Sequence, residues 1–235
     1  MKIALVTDLH FGARNDHLKV AAHQKRFYDE IFFPYLKEHN IKDVIDLGDT
    51  FDRRKFISFT SLKAAKAMFF NPLAENKINT HILVGNHDAV YKNTNDLNSI
   101  YLLCQEYNNI TEYHSPQVKD LYGCDILMLP WICLGNKQEA FEMIKSTKAQ
   151  VVMSHLELKG FQMSKGYIQH EGMDHTMFDK FDIVCSGHYH HKSTEKNINY
   201  LGAPYQMTWM DYEDERGFHV FDTETCLLYT SDAAD

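Results

Sequence analysis

The chain has 235 residues, of which 44% are hydrophobic and 24% are charged, and its formal net charge is −8. This length fits one substantial domain, or one domain with part of a second. No apolar run approaches the ~20 residues of a membrane span, and no signal peptide precedes the first apolar run, so we expect a cytoplasmic protein. The five scattered cysteines include no CxxC pair, which indicates reduced thiols rather than disulfides or a zinc ribbon.

The acidic net charge taken alone counts against a nucleic-acid-binding protein, because such proteins usually present a basic surface. Two circumstances weaken this exclusion. Bound divalent metal ions would add local positive charge, and a partner subunit could supply a basic surface. The charge balance therefore leaves DNA open as a substrate.

Short β-branched apolar runs alternate along the chain with longer segments of helical periodicity. Strands are predicted, in chain order, at residues 3–7, 44–47, 80–84, 125–129, 151–154 and 183–186. An apolar stripe over 27–36 predicts a helix that Pro34 should kink or split. Further helices are predicted at 58–70, with Ser58 as N-cap, at 96–107 and at 136–147. Such alternation predicts an α/β layered domain with its ligands beyond the carboxyl ends of the strands.

Five of the predicted strands are followed directly by an aspartate, asparagine or histidine. In chain order these segments are Asp8-Leu9-His10-Phe11-Gly12, Gly48-Asp49-Thr50-Phe51-Asp52, Gly85-Asn86-His87-Asp88, His155 and Gly187-His188-Tyr189-His190. One such residue alone is more typical of a turn or a helix cap. Five in order, all at strand ends, predict a single shared site.

The residue types in this constellation suit the hydrolysis of a phosphate ester. That reaction needs charge neutralisation on the phosphoryl oxygens, a hydroxide nucleophile and a proton for the leaving oxygen. Two metal ions about 3.5–4 Å apart supply the first two. Mixed carboxylate and imidazole ligands favour Mn, Fe or Zn over Mg, and histidines that hold no metal can protonate a leaving alkoxide.

The chain resembles the calcineurin-like metallophosphoesterase superfamily in five motifs that are intact and in order: Asp8-x-His10, Gly48-Asp49-x-x-Asp52, Gly85-Asn86-His87-Asp88, His155 and Gly187-His188-x-His190. This resemblance implies a fold of two central β-sheets flanked by helices, with the active site at the carboxyl ends of the strands. It also implies two divalent metal ions, with Mn²⁺ expected and Fe²⁺, Zn²⁺ or Mg²⁺ as alternatives.

The resemblance further implies a role for each motif residue. Asp8, His10 and His190 would hold the first metal, and Asn86, His155 and His188 the second, with Asp49 bridging both. His87 would protonate the leaving oxygen, and Asp88 would orient His87. The role of Asp52 stays open, and His191 is expected to be a solvent-exposed neighbour.

Three further segments are similar to the SbcD-type DNA nucleases: Asp8–Gly12, Tyr200-Leu201-Gly202-Ala203-Pro204 and Arg216-Gly217-Phe218-His219-Val220. Two more, Pro130-Trp131 and His155 to Gly160, make the pattern most similar to the shorter subunits encoded by tailed bacteriophages. The similarity implies the nuclease subunit of a nuclease–ATPase complex that acts in DNA end processing, recombination or repair. Its partner would be an SMC-like ATPase, a homodimer is an open alternative, and its location would be the host cytoplasm if a phage encodes it. The expected activities are manganese-dependent 3′→5′ exonuclease on duplex DNA and endonuclease on single strands.

Basic residues next to the metal motifs are candidates for gripping the DNA backbone. They are Arg14, Arg53 and Arg54, with Asp52 beside them, and the alternative for them is an ordinary solvated charge run. The segment 161–170, with Phe161, Tyr167 and nearby lysines, combines stacking and phosphate-pairing side chains. It is predicted as a DNA-contacting loop, with an ordinary surface loop as the alternative.

The nuclease domain is predicted over residues 1–222, followed by a short tail over 223–235. Members of the resembled family continue into a DNA-capping region and an ATPase-docking segment, and we expect both to be absent, as from an incomplete coding sequence. The rival functions are a phosphatase or cyclic-nucleotide phosphodiesterase on the same fold and a non-catalytic scaffold. A scaffold would have lost ligands or the histidine of Gly-Asn-His-Asp, and all of these are present.

Overall fold

The six predicted strands all form, each within one residue of its predicted ends, in a computed structural model that describes residues 1–232. In chain order the strands are β1 (Lys2–Val6), β2 (Asp43–Asp46), β3 (Asn79–Leu83), β4 (Ala89–Tyr91), β5 (Thr94–Asn98), β6 (Ile110–Tyr113), β7 (Gln117–Leu121), β8 (Cys124–Leu129), β9 (Val151–His155), β10 (Gln162–Ser164), β11 (Tyr167–Ile168), β12 (Ile183–Gly187), β13 (Ser193–Glu195), β14 (Ile198–Tyr200), β15 (Gly217–Asp222) and β16 (Leu227–Asp232).

Twelve of these strands form two six-stranded sheets. The first has the order β16–β15–β1–β2–β3–β6, in which β1, β2, β3 and β6 are parallel. The second has the order β13–β14–β12–β9–β8–β7, in which β14, β12, β9 and β8 are parallel. The remaining strands pair as two hairpins, β4–β5 and β10–β11.

Successive side chains of a strand point to opposite faces of the sheet, and the central strands β1, β2, β9 and β12 are buried on both faces. In β1, Ile3 and Leu5 join the layer between the two sheets, whereas Ala4 and Val6 face the helices. A third apolar layer packs the helix at 137–146 against the outer face of the second sheet. Two central sheets flanked by helices are therefore present, and the predicted α/β layered fold is confirmed.

The α-helices are mostly short, and two of the helical runs contain a π-helical segment. In chain order they are α1 (Ala13–Asp16, a left-handed turn), α2 (Leu18–Arg26), α3 (Phe33–Glu38), α4 (Phe59–Ala65), α5 (Asn71–Glu75), α6 (Ser99–Leu103) and α7 (Lys137–Ser146), with π-helical segments at Phe27–Phe32 and Lys66–Phe70 and 3₁₀ turns at His175–Phe178 and Trp209–Asp211. The predicted cap of α4 is present, since the Ser58 hydroxyl accepts from the Ser61 N–H at 2.9 Å. None of the helices described within residues 1–232 has the length and apolar character needed to cross a bilayer.

Pro34 does not split the predicted helix. The helical run continues through α3, but the turn before it widens so that the Phe33 N–H donates to the Tyr28 carbonyl, five residues back. Proline lacks an N–H and its ring crowds the preceding turn, and a π-helical turn accommodates both effects. The same arrangement precedes Pro72.

The predicted helix over 96–107 forms only over Ser99–Leu103 and is wrong at both ends. Residues 94–98 form β5 instead, and α6 begins only where the Asn98 side chain accepts from the Tyr101 N–H at 2.8 Å. The Asn95 side chain donates to the carbonyls of His114 and Trp131, which holds this segment as a strand. These are tertiary contacts that the periodicity of the sequence does not contain.

Part of the predicted tail belongs to the first sheet. Strand β16 pairs with β15 in antiparallel register from Gly217↔Asp232 to Asp222↔Leu227. Residues 233–235 lie outside the described residues. The division of the chain at residue 222 stays a prediction.

Buried His219 lies in β15 between Leu5 of β1 and Thr230 of β16. Its Nε2 atom lies 3.0 Å from the Leu201 carbonyl and its Nδ1 atom 3.3 Å from the Thr230 hydroxyl. A neutral ring with its proton on Nε2 satisfies both partners. Burial lowers the pKa of His219 to about 4.

The neutral His219 ring predicts that stability decreases in mild acid. Its folded-state pKa lies below the unfolded value of 6.5, so its contribution is complete above pH 6.5 and is lost as pH falls toward 4. The slope is at most about 1.4 kcal/mol per pH unit. In urea unfolding between pH 4.5 and 7.5, His219→Gln should reduce the dependence of the unfolding free energy on pH. The matched change at exposed His170 should not, and equal slopes for both variants would contradict this account.

A buried ion cluster anchors the start of β15. The Nη2 atom of Arg216 lies 2.9 Å from the Asp211 carboxylate and 2.7 Å from the Asp214 carboxylate. Its Nη1 atom donates to the His190 carbonyl. Asp214 also lies 2.9 Å from the Nδ1 atom of His191, so the prediction that His191 is a solvent-exposed neighbour is wrong. The His191 ring is instead partly buried and contacts the Asp214 carboxylate.

Removing the cation of this cluster should be costly. Arg216→Met leaves the two aspartates buried without their partner, which typically costs about 3–5 kcal/mol. Urea unfolding at pH 7 measures the loss, and adding Asp211→Asn with Asp214→Asn should restore part of it. Lys192→Met is the matched control, because Lys192 pairs with exposed Glu215 at 3.8 Å and such pairs contribute less than about 1 kcal/mol. Equal losses in the two variants would refute the assignment.

Candidate metal centre

The ends of five parallel strands meet at one edge of the two sheets. Asp8 and His10 follow β1, Asp49 follows β2, Asn86 and His87 follow β3, His155 ends β9, and His188 and His190 follow β12. The aspartates and histidines of this set fall into three overlapping groups, in each of which the candidate ligand atoms lie within 4.8 Å of one another. Asn86 contacts two of the histidines. The structure thus brings together every residue that the sequence predicted as a metal ligand.

The backbone is strained at several of these positions. Four residues have φ angles in the left-handed region that residues other than glycine rarely adopt. These are Asp8 at 53°, His10 at 44°, Asp49 at 57° and His188 at 88°. Each such residue costs on the order of 1–3 kcal/mol and persists only where surrounding contacts impose it. Here the Asp8 N–H donates to the Gly48 carbonyl at 2.9 Å, and the His10 N–H donates to the Asp49 carbonyl at 3.0 Å. The strain turns the side chains back toward a common point.

The first cluster consists of Asp8, His10 and His190. The Nε2 atoms of the two histidines lie 3.0 Å apart. The Oδ1 atom of Asp8 lies 3.9 Å from the Nε2 atom of His10 and 3.8 Å from that of His190. One carboxylate oxygen and two imidazole nitrogens therefore face one point.

The second cluster consists of Asn86, His155 and His188. The amide oxygen of Asn86 lies 3.0 Å from the Nε2 atom of His155 and 2.8 Å from the Nδ1 atom of His188. The Nδ1 atom of His155 lies 2.8 Å from the Leu47 carbonyl. Because a carbonyl oxygen only accepts, Nδ1 of His155 carries a proton, and Nε2 is the ring atom that can bind a metal once it has lost its own proton.

Asp49 lies between the two clusters. Its Oδ1 atom is 3.4 Å from the Nε2 atom of His155, and its Oδ2 atom is 3.9 Å from the Nε2 atom of His10. Each oxygen of this one carboxylate therefore faces a different cluster. That is the geometry in which an aspartate can bridge two metal ions.

The electrostatics of the centre fit bound cations. Asp8 and Asp49 are buried, and within residues 1–232 neither forms an ion pair with a lysine or arginine. Burial disfavours a charged His155, yet the Asp49 carboxylate raises the pKa of His155 to about 9, while burial and charged His155 lower the pKa of His188 to about 4. Buried carboxylates without a permanent counter-charge are costly. The mixed oxygen and nitrogen donors suit divalent transition metals.

His87 is half-buried at the rim of this centre. The ring of His87 lies edge-on to the ring of His10, with the centroids 4.9 Å apart. The backbone N–H of His87 donates to the Asp49 carboxylate at 2.7 Å. The Nδ1 atom lies 2.6 Å from the Asp52 carbonyl, and since a carbonyl only accepts, Nδ1 carries a proton. The Nε2 atom is therefore the ring atom that can exchange a proton with a ligand.

Asp88 does not orient His87, contrary to the prediction from sequence. Its carboxylate accepts from the N–H groups of Asp49, Gly85 and Phe51 at 2.8, 2.9 and 3.2 Å. The Ser99 hydroxyl is a fourth donor, at 3.4 Å. The Asp88 carboxylate therefore holds two loops together and, within residues 1–232, makes no hydrogen bond with the His87 ring. The sequence places Asp88 next to His87, but the chain turns between them and sends the Asp88 side chain into the core.

Of the predicted substrate-binding residues, only Asp52 contacts a residue of the centre. Asp52 is close to the centre, with its Oδ1 atom 3.4 Å from the Nδ1 atom of His10. Arg14 is exposed in α1. Arg53 contacts Asn15 and covers the ring of Phe56. Arg54 donates to the Ala89 carbonyl at 3.1 Å, which ties the loop to β4.

The segment 161–170 forms the β10–β11 hairpin. Phe161 is buried against Tyr200, with ring centroids 4.9 Å apart, so the prediction that Phe161 is a base-stacking residue is wrong. Tyr167 is exposed, and Lys159 pairs with Asp174 at 2.8 Å. The aromatic residues of this segment therefore divide between the core and the surface.

Sequence reasoning assigned no role to several residues that support the centre. The Gln24 amide and the Tyr205 hydroxyl both donate to the Leu9 carbonyl between the two ligands of the first motif. Buried Asp46 accepts from the Gly48 N–H and the Thr50 hydroxyl before the second motif. Asp46 left a signal, because an aspartate inside an apolar strand is unusual. Gln24 left none.

Trp131 was recognised only as part of a motif. Its indole ring lies 5.1 Å from the His188 ring and 6.1 Å from the His155 ring, measured between centroids. An aromatic side chain thus forms one wall of the second cluster.

Comparison with known proteins agrees with this geometry. Exonuclease subunit 1 of Enterobacteria phage T4 is 36% identical over 225 residues, which are 96% of this chain and 66% of that protein, so the chain spans slightly less than two thirds of that relative's length. A solved archaeal phosphodiesterase is 16% identical, covers 99% of both chains and has a TM-score of 0.48, which is too low to support a conclusion. Residues 1–192 match the family model for calcineurin-like phosphoesterases. On the strength of that match, the chain belongs to the calcineurin-like phosphoesterase family.

Proposed function

We propose that this chain is a two-metal hydrolase of phosphodiester bonds in DNA. The observation that carries the proposal is the position of Asp49, which presents one carboxylate oxygen to each of two imidazole clusters. Asp8, His10 and His190 would hold one metal ion, and Asn86, His155 and His188 the other. When bound, two such ions neutralise the phosphoryl oxygens and lower the pKa of a water molecule between them. We expect Mn²⁺, with Fe²⁺, Zn²⁺ and Mg²⁺ as alternatives.

His87 would supply the proton that the leaving oxygen requires. Its Nδ1–H is held by the Asp52 carbonyl at 2.6 Å, so the ring keeps one orientation while Nε2 gives up its proton. After that transfer the ring is neutral and still satisfied at Nδ1. Asp88 would act only through the loops, by fixing the backbone that carries Asp49.

DNA is favoured over a small ester by the similarity to a phage exonuclease subunit. Arg14 and Arg53, which follow the first and second motifs in the sequence, would contact the phosphate backbone. As a subunit, the chain would act with an SMC-like ATPase in DNA end processing, recombination or repair, and in the host cytoplasm if a phage encodes it. We expect 3′→5′ exonuclease and single-strand endonuclease activity, whereas a homodimer stays an open alternative.

The test is hydrolysis of labelled duplex DNA and circular single-stranded DNA with Mn²⁺, beside a small chromogenic phosphodiester. Degradation of DNA that EDTA abolishes supports the proposal. Cleavage of the small ester alone would support the phosphatase or cyclic-nucleotide phosphodiesterase alternative. Absence of every activity in a chain that binds two metal ions would support the scaffold alternative.

Replacing His87 should separate chemistry from metal binding. We expect His87→Ala to lower the turnover number by ~10²–10⁴-fold, the usual contribution of a positioned acid, while two ions per chain stay bound. Initial rates with Mn²⁺ and the metal content by mass spectrometry measure both quantities. The matched control is His114→Ala at an exposed position outside the centre. Turnover near that of the unmodified chain would remove His87 from the mechanism.

Replacing the Asp49 carboxylate should lower metal content as well as turnover. Asp49→Asn keeps the shape of the side chain but removes the charge shared by both clusters, so we expect fewer than two ions per chain and a loss of turnover. Titration with Mn²⁺, followed by calorimetry, measures the stoichiometry, with Asp96→Asn on the surface as the control. Two ions bound with unchanged affinity would contradict the bridging role.

A further inference from the structure

A groove of about 530 Å³ borders the second cluster of the metal centre. Trp131 belongs to both, since it lines the groove and its ring lies 5.1 Å from the His188 ring. Glu157, two residues after His155 on the same chain segment, forms part of the floor. The groove therefore begins where the metal-binding residues end. Its volume is in the range of sites for small organic ligands.

The backbone of Trp131 is fixed on both sides. Its N–H donates to the Val84 carbonyl at 2.9 Å, and its carbonyl accepts from the side chains of Asn95 and Asn136 at 2.8 and 3.0 Å. This residue follows β8 outside any regular element, so these three bonds define its position. Such anchoring presents a large aromatic ring at a set distance from the catalytic site.

The walls of the groove favour a flat, uncharged ligand. Apolar side chains from Ile132, Phe141, Met173 and Met177 line it together with Trp131. Sulfur and aromatic groups pack well against aromatic rings. Three charged residues line the groove. Asp174 is paired with Lys159 at 2.8 Å, the Lys137 ammonium lies 5.4 Å from the centroid of the Phe141 ring, and Glu157 would repel a phosphate. The largely apolar and aromatic lining is thus suited to a base.

We infer that this groove binds the nucleobase of a nucleotide flanking the scissile phosphate, by stacking on Trp131. The inference rests on the proposed function, because the phosphate is positioned by the metal centre and the base by the adjoining groove. Stacking on an aromatic side chain tolerates any base sequence, as an enzyme that degrades DNA requires. Its usual contribution corresponds to a 5- to 150-fold effect.

A two-by-two comparison tests the stacking contact. Single-stranded oligonucleotides carry either a normal or an abasic residue at each nucleotide flanking the cleaved bond, and each is cut by the unmodified chain and by Trp131→Ala. For one flanking nucleotide, we expect removal of the base to lower kcat/KM by 5- to 150-fold in the unmodified chain but to have little further effect in Trp131→Ala. Independent, multiplying losses at both nucleotides would overturn the inference. Failure of the unmodified chain to cut normal DNA would instead overturn the proposed function.

Fluorescence gives a second readout that does not depend on turnover. The chain has two tryptophans, and Trp209 is 93% exposed, so Trp209→Phe leaves Trp131 as the only indole reporter. In that background with Mg²⁺, deoxyadenosine monophosphate should quench the fluorescence in a saturable way, whereas deoxyribose phosphate should not. Adding Met177→Arg, which places a long charged side chain across the groove from Trp131, should weaken the quenching by at least tenfold. Equal quenching by both ligands, or no effect of Met177→Arg, would place the base elsewhere.

Discussion

The metal centre depends on one buried carboxylate that is not itself a ligand. Asp88 accepts from the N–H groups of Asp49, Phe51 and Gly85, and so ties the loop after β2 to the loop after β3. These loops cross so closely that a methyl group on Gly85 would overlap the backbone nitrogen of Asp49. Because the carboxylate of Asp49 faces both clusters, any displacement of this junction would move the one side chain that the two clusters share.

Two unfavourable features of the site are compensated by its surroundings. The left-handed residues at the strand ends cost backbone energy, and the buried Asp8 and Asp49 carboxylates face several imidazoles without a permanent positive charge. The cost is offset by the three apolar layers around the two sheets, since burying one large aliphatic side chain contributes about 1.5–3 kcal/mol. A rigid sandwich can thus hold an arrangement that a less tightly packed loop would relax.

The second sheet does more than supply His155 and His188. Its strand β8 leads directly into Trp131, whose carbonyl is held by Asn95 of β5 and by Asn136 at the start of α7. Segments from three parts of the chain therefore fix one aromatic ring beside the second cluster. The metal centre and the adjoining groove share this scaffold, which would couple the position of a base to that of its phosphate.

The sequence by itself determined six central strands and the candidate ligands, because both have local signals. Short apolar runs located these six strands to within one residue, and the aspartates and histidines after five of them meet at the carboxyl ends of parallel strands. The other strands and the strand order of the two sheets depend on tertiary pairing. Tertiary structure decided what local patterns do not contain. Asp88 binds the N–H groups of two loops instead of His87, and His191 contacts Asp214 instead of solvent. Phe161 is buried against Tyr200, and residues 94–98 form a strand instead of a helix. In each case a contact with a residue distant in the sequence outweighed the preference of the neighbours, and such contacts exist only once the chain has folded.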